Sequence, residues 1–165
     1  MVTKKITLLL VVILGLTFLV MSVGNSHNNS APNFDCLSCH EGGSGNAEVK
    51  IDGIPKKYTP GQTYKMTLTI TSDMQSSGNN AGGFAIEASA GELIDTDKKN
   101  TQISDGILTH TQNGSALRKW TFGWKAPAQK TGADITVMAV AVNGDFSPAG
   151  DLIATEGYTI TPINQ

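Results

Sequence analysis

The sequence predicts an all-β chain folded as a sandwich of short strands. Three observations carry that expectation. Apolar and polar residues alternate with period two through most of the chain after residue 47, and no stretch there shows a convincing helical period. Turn-forming residues separate the alternating runs. Glycine is abundant, with 18 residues, and charged side chains make up only 16%, a balance that suits turns and strands. A length of 165 residues gives one domain with a real core and is too short for two.

The first 24 residues are expected to be an export signal. Lys4 and Lys5 form a short positive region, and an apolar run follows from Ile6 to Val23. Ser22-Val23-Gly24 supplies small residues for a signal peptidase. The apolar run is also just long enough to span a bilayer, so residues 6–23 are an alternative N-terminal membrane anchor. The chain is therefore placed outside the cytoplasm: periplasmic, at the cell surface or extracellular. No second apolar stretch approaches membrane length, and the C-terminus reads as a strand end. Without Lys4 and Lys5, 10 of the 12 basic side chains remain against 14 acidic ones, a formal charge of −4. There is no basic stripe, which argues against nucleic acid as a partner.

Residues 25–46 form a tether and a cysteine-bearing segment, and residues 47–165 form the sandwich domain. Tyr64, Met66, Leu68 and Ile70 alternate with Lys65, Thr67, Thr69 and Thr71, which places four apolar side chains on one face of a strand. Phe84, Ile86 and Ala88 alternate next, and Leu108 and His110 share a face after them. Trp120, Phe122 and Trp124 line one side of a further strand. The run from Ile135 to Val142 is apolar on both faces, as in a central strand covered on both sides. Tyr158 and Ile160 close the series, for six to eight strands in all.

Both cysteines of the chain lie in Cys36-Leu37-Ser38-Cys39-His40. Two thiols at this spacing can add to the two vinyl groups of one haem, and the next residue then supplies an axial imidazole. On this reading Cys36 and Cys39 hold one covalent haem c, and His40 is the proximal iron ligand. Three other readings compete. A disulfide would close a four-residue ring and gain little from chain entropy. A thioredoxin-like redox pair needs a strand-to-helix context that is missing here. A zinc site lacks a second ligand cluster.

A second axial ligand would make the haem an electron carrier, and an open position would leave a reactive iron. His27 lies in the tether, while Met66 and Met138 belong to strands and are expected in the core. His110, near a strand end before an Asn-Gly turn, is the expected distal ligand. Met74, in a polar loop, is the weaker alternative, and an open or water-bound iron is the third possibility. The expected role is an exported monohaem cytochrome that meets an unidentified redox partner protein. The alternatives are a structural or adhesive surface module and a haem-based sensor.

Other groupings carry less. Asn143-Gly144-Asp145 and Asp151 offer oxygen atoms for Ca²⁺, but also the composition of an ordinary turn. Trp120 and Trp124 are expected in the core and not on a carbohydrate platform. Asn28 and Asn113 begin N-x-S sequons. No Ser/His/Asp set or carboxylate pair argues for hydrolysis, so no enzyme is expected beyond what a haem itself does.

Several segments occur in a telling order. These are Y-T-P-G-Q-T-Y-K-M-T-L-T-I at 58–70, G-G-F-A-I-E-A at 82–88, T-H-T at 109–111, W-T-F-G-W-K-A-P at 120–127 and V-N-G-D-F-S-P-A-G-D at 142–151. Together they resemble the Reeler-like domains of microbial exported proteins, in the group called choice-of-anchor V. Many members of that group carry C-x-x-C-H just before the domain. The resemblance spans about residues 33–161 and implies an immunoglobulin-like β-sandwich at a surface location. Its T-H-T position corresponds to His110. Members commonly end in a C-terminal surface anchor, whereas this sequence stops at Gln165 without one.

Overall fold

The computed structural model describes Phe34, Cys36, Leu37 and residues 39–163. The leader, His27 and the Asn28 sequon lie outside the described residues. The fold is a sandwich of two sheets. The larger contains β1 (Glu41–Gly42), β11 (Ala149–Pro162), β10 (Ala133–Ala141), β5 (Gly82–Ala88), β8 (Ile107–His110) and β7 (Thr101–Ser104), in that spatial order. A short β3 (Lys57–Tyr58) also pairs with β11. The smaller sheet has the order β2 (Ala47–Asp52), β4 (Thr63–Ser72), β9 (Lys119–Lys125), β6 (Glu92–Ile94). No helix among the described residues is long and apolar enough to cross a membrane.

The alternation read from the sequence sets the core. Tyr64, Met66 and Leu68 of β4 pair with Trp124, Phe122 and Trp120 of β9 in a regular antiparallel register; Tyr64 is half-buried, and the other five, with Ile70 beyond them on β4, are buried. Both indole N–H groups are satisfied inside: Trp120 Nε1 donates to Gly114 O and Trp124 Nε1 to Ala90 O, each at 3.0 Å. The tryptophans are therefore core residues with their polar handles paired, and not a ligand platform.

β10 is the central strand of the large sheet, between β11 and β5. Its inward residues Ile135, Val137, Ala139 and Ala141 belong to the core. By strand alternation Met138 and Val140 face the opposite way, onto the outer face of the sheet. This corrects the expectation that Met138 is a core residue. Val140 and its neighbour Ala85 are nonetheless buried, at 5% and 1% exposure, although neither belongs to the interior cluster. The outer face is therefore covered at this point, and the cysteine segment lies beside it.

β11 is longer than the sequence suggested. In the sequence this strand is marked only by Tyr158 and Ile160, and Asp151 reads as part of a turn, yet the pairing with β10 already begins at Leu152. The turn composition belongs only to the loop between β10 and β11. That difference matters, because it puts Asp151 on a strand.

Candidate functional site

The cysteine pair and its histidine form one backbone turn. His40 N–H donates to Cys36 O at 2.9 Å, and Cys39 N–H donates to the same oxygen at 3.3 Å. Positions i, i+3 and i+4 of a helical turn share one face. Residues 36, 39 and 40 occupy those positions, so the backbone bonds bring both cysteines and the histidine to one side of a turn. No helix follows it. The chain passes directly into β1, which pairs in parallel with β11 through Glu41–Ala149 and Gly42–Asp151. Glu41 N–H donates to Pro148 O and Gly43 N–H to Asp151 O. The strand-to-helix context of a thioredoxin-like pair is thus absent. Nor do three His, Cys, Asp or Glu side chains converge among the described residues as a metal cluster would require.

His40 is anchored by its side chain as well. Its Nδ1 lies 2.7 Å from Asp151 Oδ2, and the Asp151 side chain is only 2% exposed against 32% for His40. The other carboxylate oxygen, Oδ1, accepts Asn143 N–H at 3.0 Å. A carboxylate accepts and does not donate, so the Nδ1 proton belongs to His40. In the neutral ring Nε2 then carries the lone pair, the tautomer of a metal-binding histidine oriented by an outer carboxylate. The residues present therefore fit a haem attachment site, with two thiols and a presented Nε2 on one turn.

Asp151 and Asn143 were assigned by sequence only to a turn or a calcium site. The loop's own hydrogen bonds favour the turn: Asn143 Oδ1 accepts Asp145 N–H, and Asp145 Oδ1 accepts Ser147 N–H. The signal for Asp151 was present in the V-N-G-D-F-S-P-A-G-D segment, but nothing in the spacing links it to a histidine 111 residues earlier.

Met138 also joins the site. Its Sδ accepts Cys36 N–H at 3.2 Å, which docks the cysteine turn onto the outer face of β10. Met74 does not join it. Its side chain packs against the sandwich core, its N–H donates to Ser72 Oγ, and its carbonyl accepts Arg118 Nη2. The polar loop is therefore not a free arm for this methionine.

His110 stands where β8 stops pairing with β5. The ladder runs through Ile86–Leu108 and Ala85–Thr109. At the next position the imidazole takes over: Phe84 N–H donates to His110 Nδ1 at 3.2 Å. The ring fills the space left by Gly83, where an added Cβ would meet Cε1 at 2.6 Å and Nε2 at 3.0 Å. Burial is the main cause that lowers the His110 pKa below its ordinary value of 6.5.

No family model matches the chain, and no curated protein matches it. Solved structures do. The human F-spondin reeler domain is similar with a TM-score of 0.54 at 17% identity, over 81% of this chain and all of that one. The Reelin-N domain of F-spondin is similar with a TM-score of 0.53 at 18% identity, over 82% of this chain and all of that one. With two sheets in this order and these neighbours, the chain is a β-sandwich of Reeler-like fold.

Proposed function

We propose that this chain is an extracytoplasmic Reeler-like module that carries one covalent haem c and passes single electrons to a partner protein. Cys36 and Cys39 hold the haem, and His40 presents Nε2 to the iron. When bound, the haem supplies one-electron redox chemistry. The observation that carries the reading is the His40–Asp151 pair. A buried carboxylate 2.7 Å from Nδ1 fixes the ring's orientation and tautomer, and raises its basicity toward a metal. The export leader and the likeness in fold to reeler domains support a location outside the cytoplasm.

A second reading is a structural or adhesive surface module. It is favoured by a core complete without any cofactor: Trp120, Trp124, Phe122 and Tyr58 are all buried, and the cysteine turn sits outside it. One experiment separates the two. The chain is expressed with a haem-maturation system and run on a denaturing gel, where thioether-bound haem survives boiling. A haem-stained band, lost in Cys36→Ala and Cys39→Ala, supports the cytochrome. An unstained band whose mass is two hydrogens short points to a disulfide and the structural module.

A further inference from the structure

The outer face of the large sheet gathers groups from three strands around the cysteine turn. Gly83 alternates with the core residue Phe84, so the space beside its Cα opens on that face. His110 Cε1 and Nε2 occupy that space. Gly83 pairs with Val140, and Ala85 with Met138, whose sulfur holds Cys36. Two residues along a strand span about 7 Å and neighbouring strands lie about 4.8 Å apart, so the His110 ring and the docked turn are close neighbours.

The hydrogen bonds of His110 decide what its free nitrogen can do. Phe84 N–H can only donate, so Nδ1 must offer it a lone pair. Thr109 Oγ1 lies 3.4 Å from Nδ1, but its hydroxyl proton is already given to Phe84 O at 2.6 Å. Phe84 O is 3.5 Å from Nδ1, too long for a good bond. A proton on Nδ1 would point into the Phe84 N–H. The neutral ring therefore carries its proton on Nε2, which has no hydrogen-bond partner among the described residues. The two histidines are set oppositely: His40 has its proton on Nδ1 and Nε2 open, whereas His110 has Nδ1 occupied and its proton on Nε2.

We infer that His110 is a hydrogen-bond donor, through Nε2–H, to a small acceptor molecule of the class of cyanide, carbon monoxide or nitric oxide held beside the cysteine turn, and is not an iron ligand. An iron-binding Nε2 needs its lone pair, and the Phe84 N–H denies the ring that tautomer. Gly83 supports the role by leaving room for the ring. The inference rests on the haem attachment proposed above and not on its electron-carrying role; with His110 a donor, the iron position facing it stays open, which favours the haem-based sensor over the electron carrier.

The test uses the haem-loaded protein and the haem-free chain. In the ferric holoprotein, His110→Leu should weaken cyanide binding by about ten- to a hundredfold, as loss of a bond to a charged acceptor does. His110→Gln, which keeps a donor, should restore part of it. If His110 were an iron ligand, its removal would vacate the position and cyanide would bind more tightly. That result, or unchanged affinity in His110→Leu, overturns the inference. In the haem-free chain, long-range ¹H–¹⁵N spectra should show His110 as the Nε2–H tautomer, and the Nδ1–H tautomer overturns it equally. A chain without covalent haem would instead defeat the proposed function, and the tautomer would still report on the donor.

Discussion

Asp151 Oδ2 sits 2.7 Å from His40 Nδ1 and ties the last strand of the sandwich to the residue directly behind the cysteine pair. The bond joins two parts of the chain that a sequence reading treats separately. Asp151→Ala removes it and also strips Asn143 N–H of its acceptor. Loss of a buried hydrogen-bonded carboxylate should cost about 1–3 kcal/mol. The amides of His40 and Gly43 should then exchange hydrogen faster than those of β9. In the haem-loaded protein, the midpoint potential should rise, because a less basic His40 stabilises the oxidised iron less. Equal potentials in Asp151→Ala and the parent would remove Asp151 from its orienting role.

Gly83→Ala should displace the His110 ring. The backbone at Gly83 accepts an alanine, but the new Cβ would stand 2.6 Å from Cε1. When the ring moves, Phe84 N–H loses its acceptor, at a cost of about 1–3 kcal/mol. Urea denaturation should show this as a lower midpoint with an unchanged slope. His110→Ala combined with Gly83→Ala should cost little more than His110→Ala alone.

Met138→Leu should loosen the cysteine turn without harming the sandwich. The substitution keeps volume and removes the sulfur that accepts Cys36 N–H. Global stability should change by less than about 1.5 kcal/mol. Hydrogen exchange at Cys36 should quicken, whereas the amides of Phe122 and Val137 should keep their protection.

Acidification should destabilise the haem-free fold through His110. Its folded pKa lies below the unfolded value of 6.5, with burial as the largest cause. The unfolded chain therefore binds more protons between the two values. The stability contributed by the neutral ring is complete above about pH 6.5 and is lost as pH falls toward the folded value. The limiting slope for one proton is about 1.4 kcal/mol per pH unit. Chemical denaturation at a series of pH values should show the slope in the parent and a flatter line in His110→Gln.

The sandwich was legible in the sequence wherever one face of a strand meets the core. β4 and β9 alternate cleanly because their outward residues meet water, so period two survives in the composition. The start of β11 was hidden for the opposite reason. Ala149, Gly150 and Asp151 contribute little apolar surface, and Asp151 is buried to hold His40, so the strand resembles the turn before it. Met138 was misplaced because an apolar residue on the outer face looks like a core residue when that face is also covered. Cys36, Cys39 and His40 stand out in the sequence because the chemistry proposed for them depends on adjacent positions. Met138, Asp151 and Gly83 depend on partners brought close only by the sheet, and no local pattern marks such pairs.

The parallel pairing of β1 with β11 also orders events in time. A chain made from its N-terminus presents the cysteine turn 111 residues before Asp151 exists to receive His40. The strand that β1 joins is likewise synthesised long after it. Through that interval the cysteine turn has no docking strand. Arrival of β11 then completes the pairing with β1 and supplies Asp151 to His40. The late strand thus works as a latch on a segment made long before it.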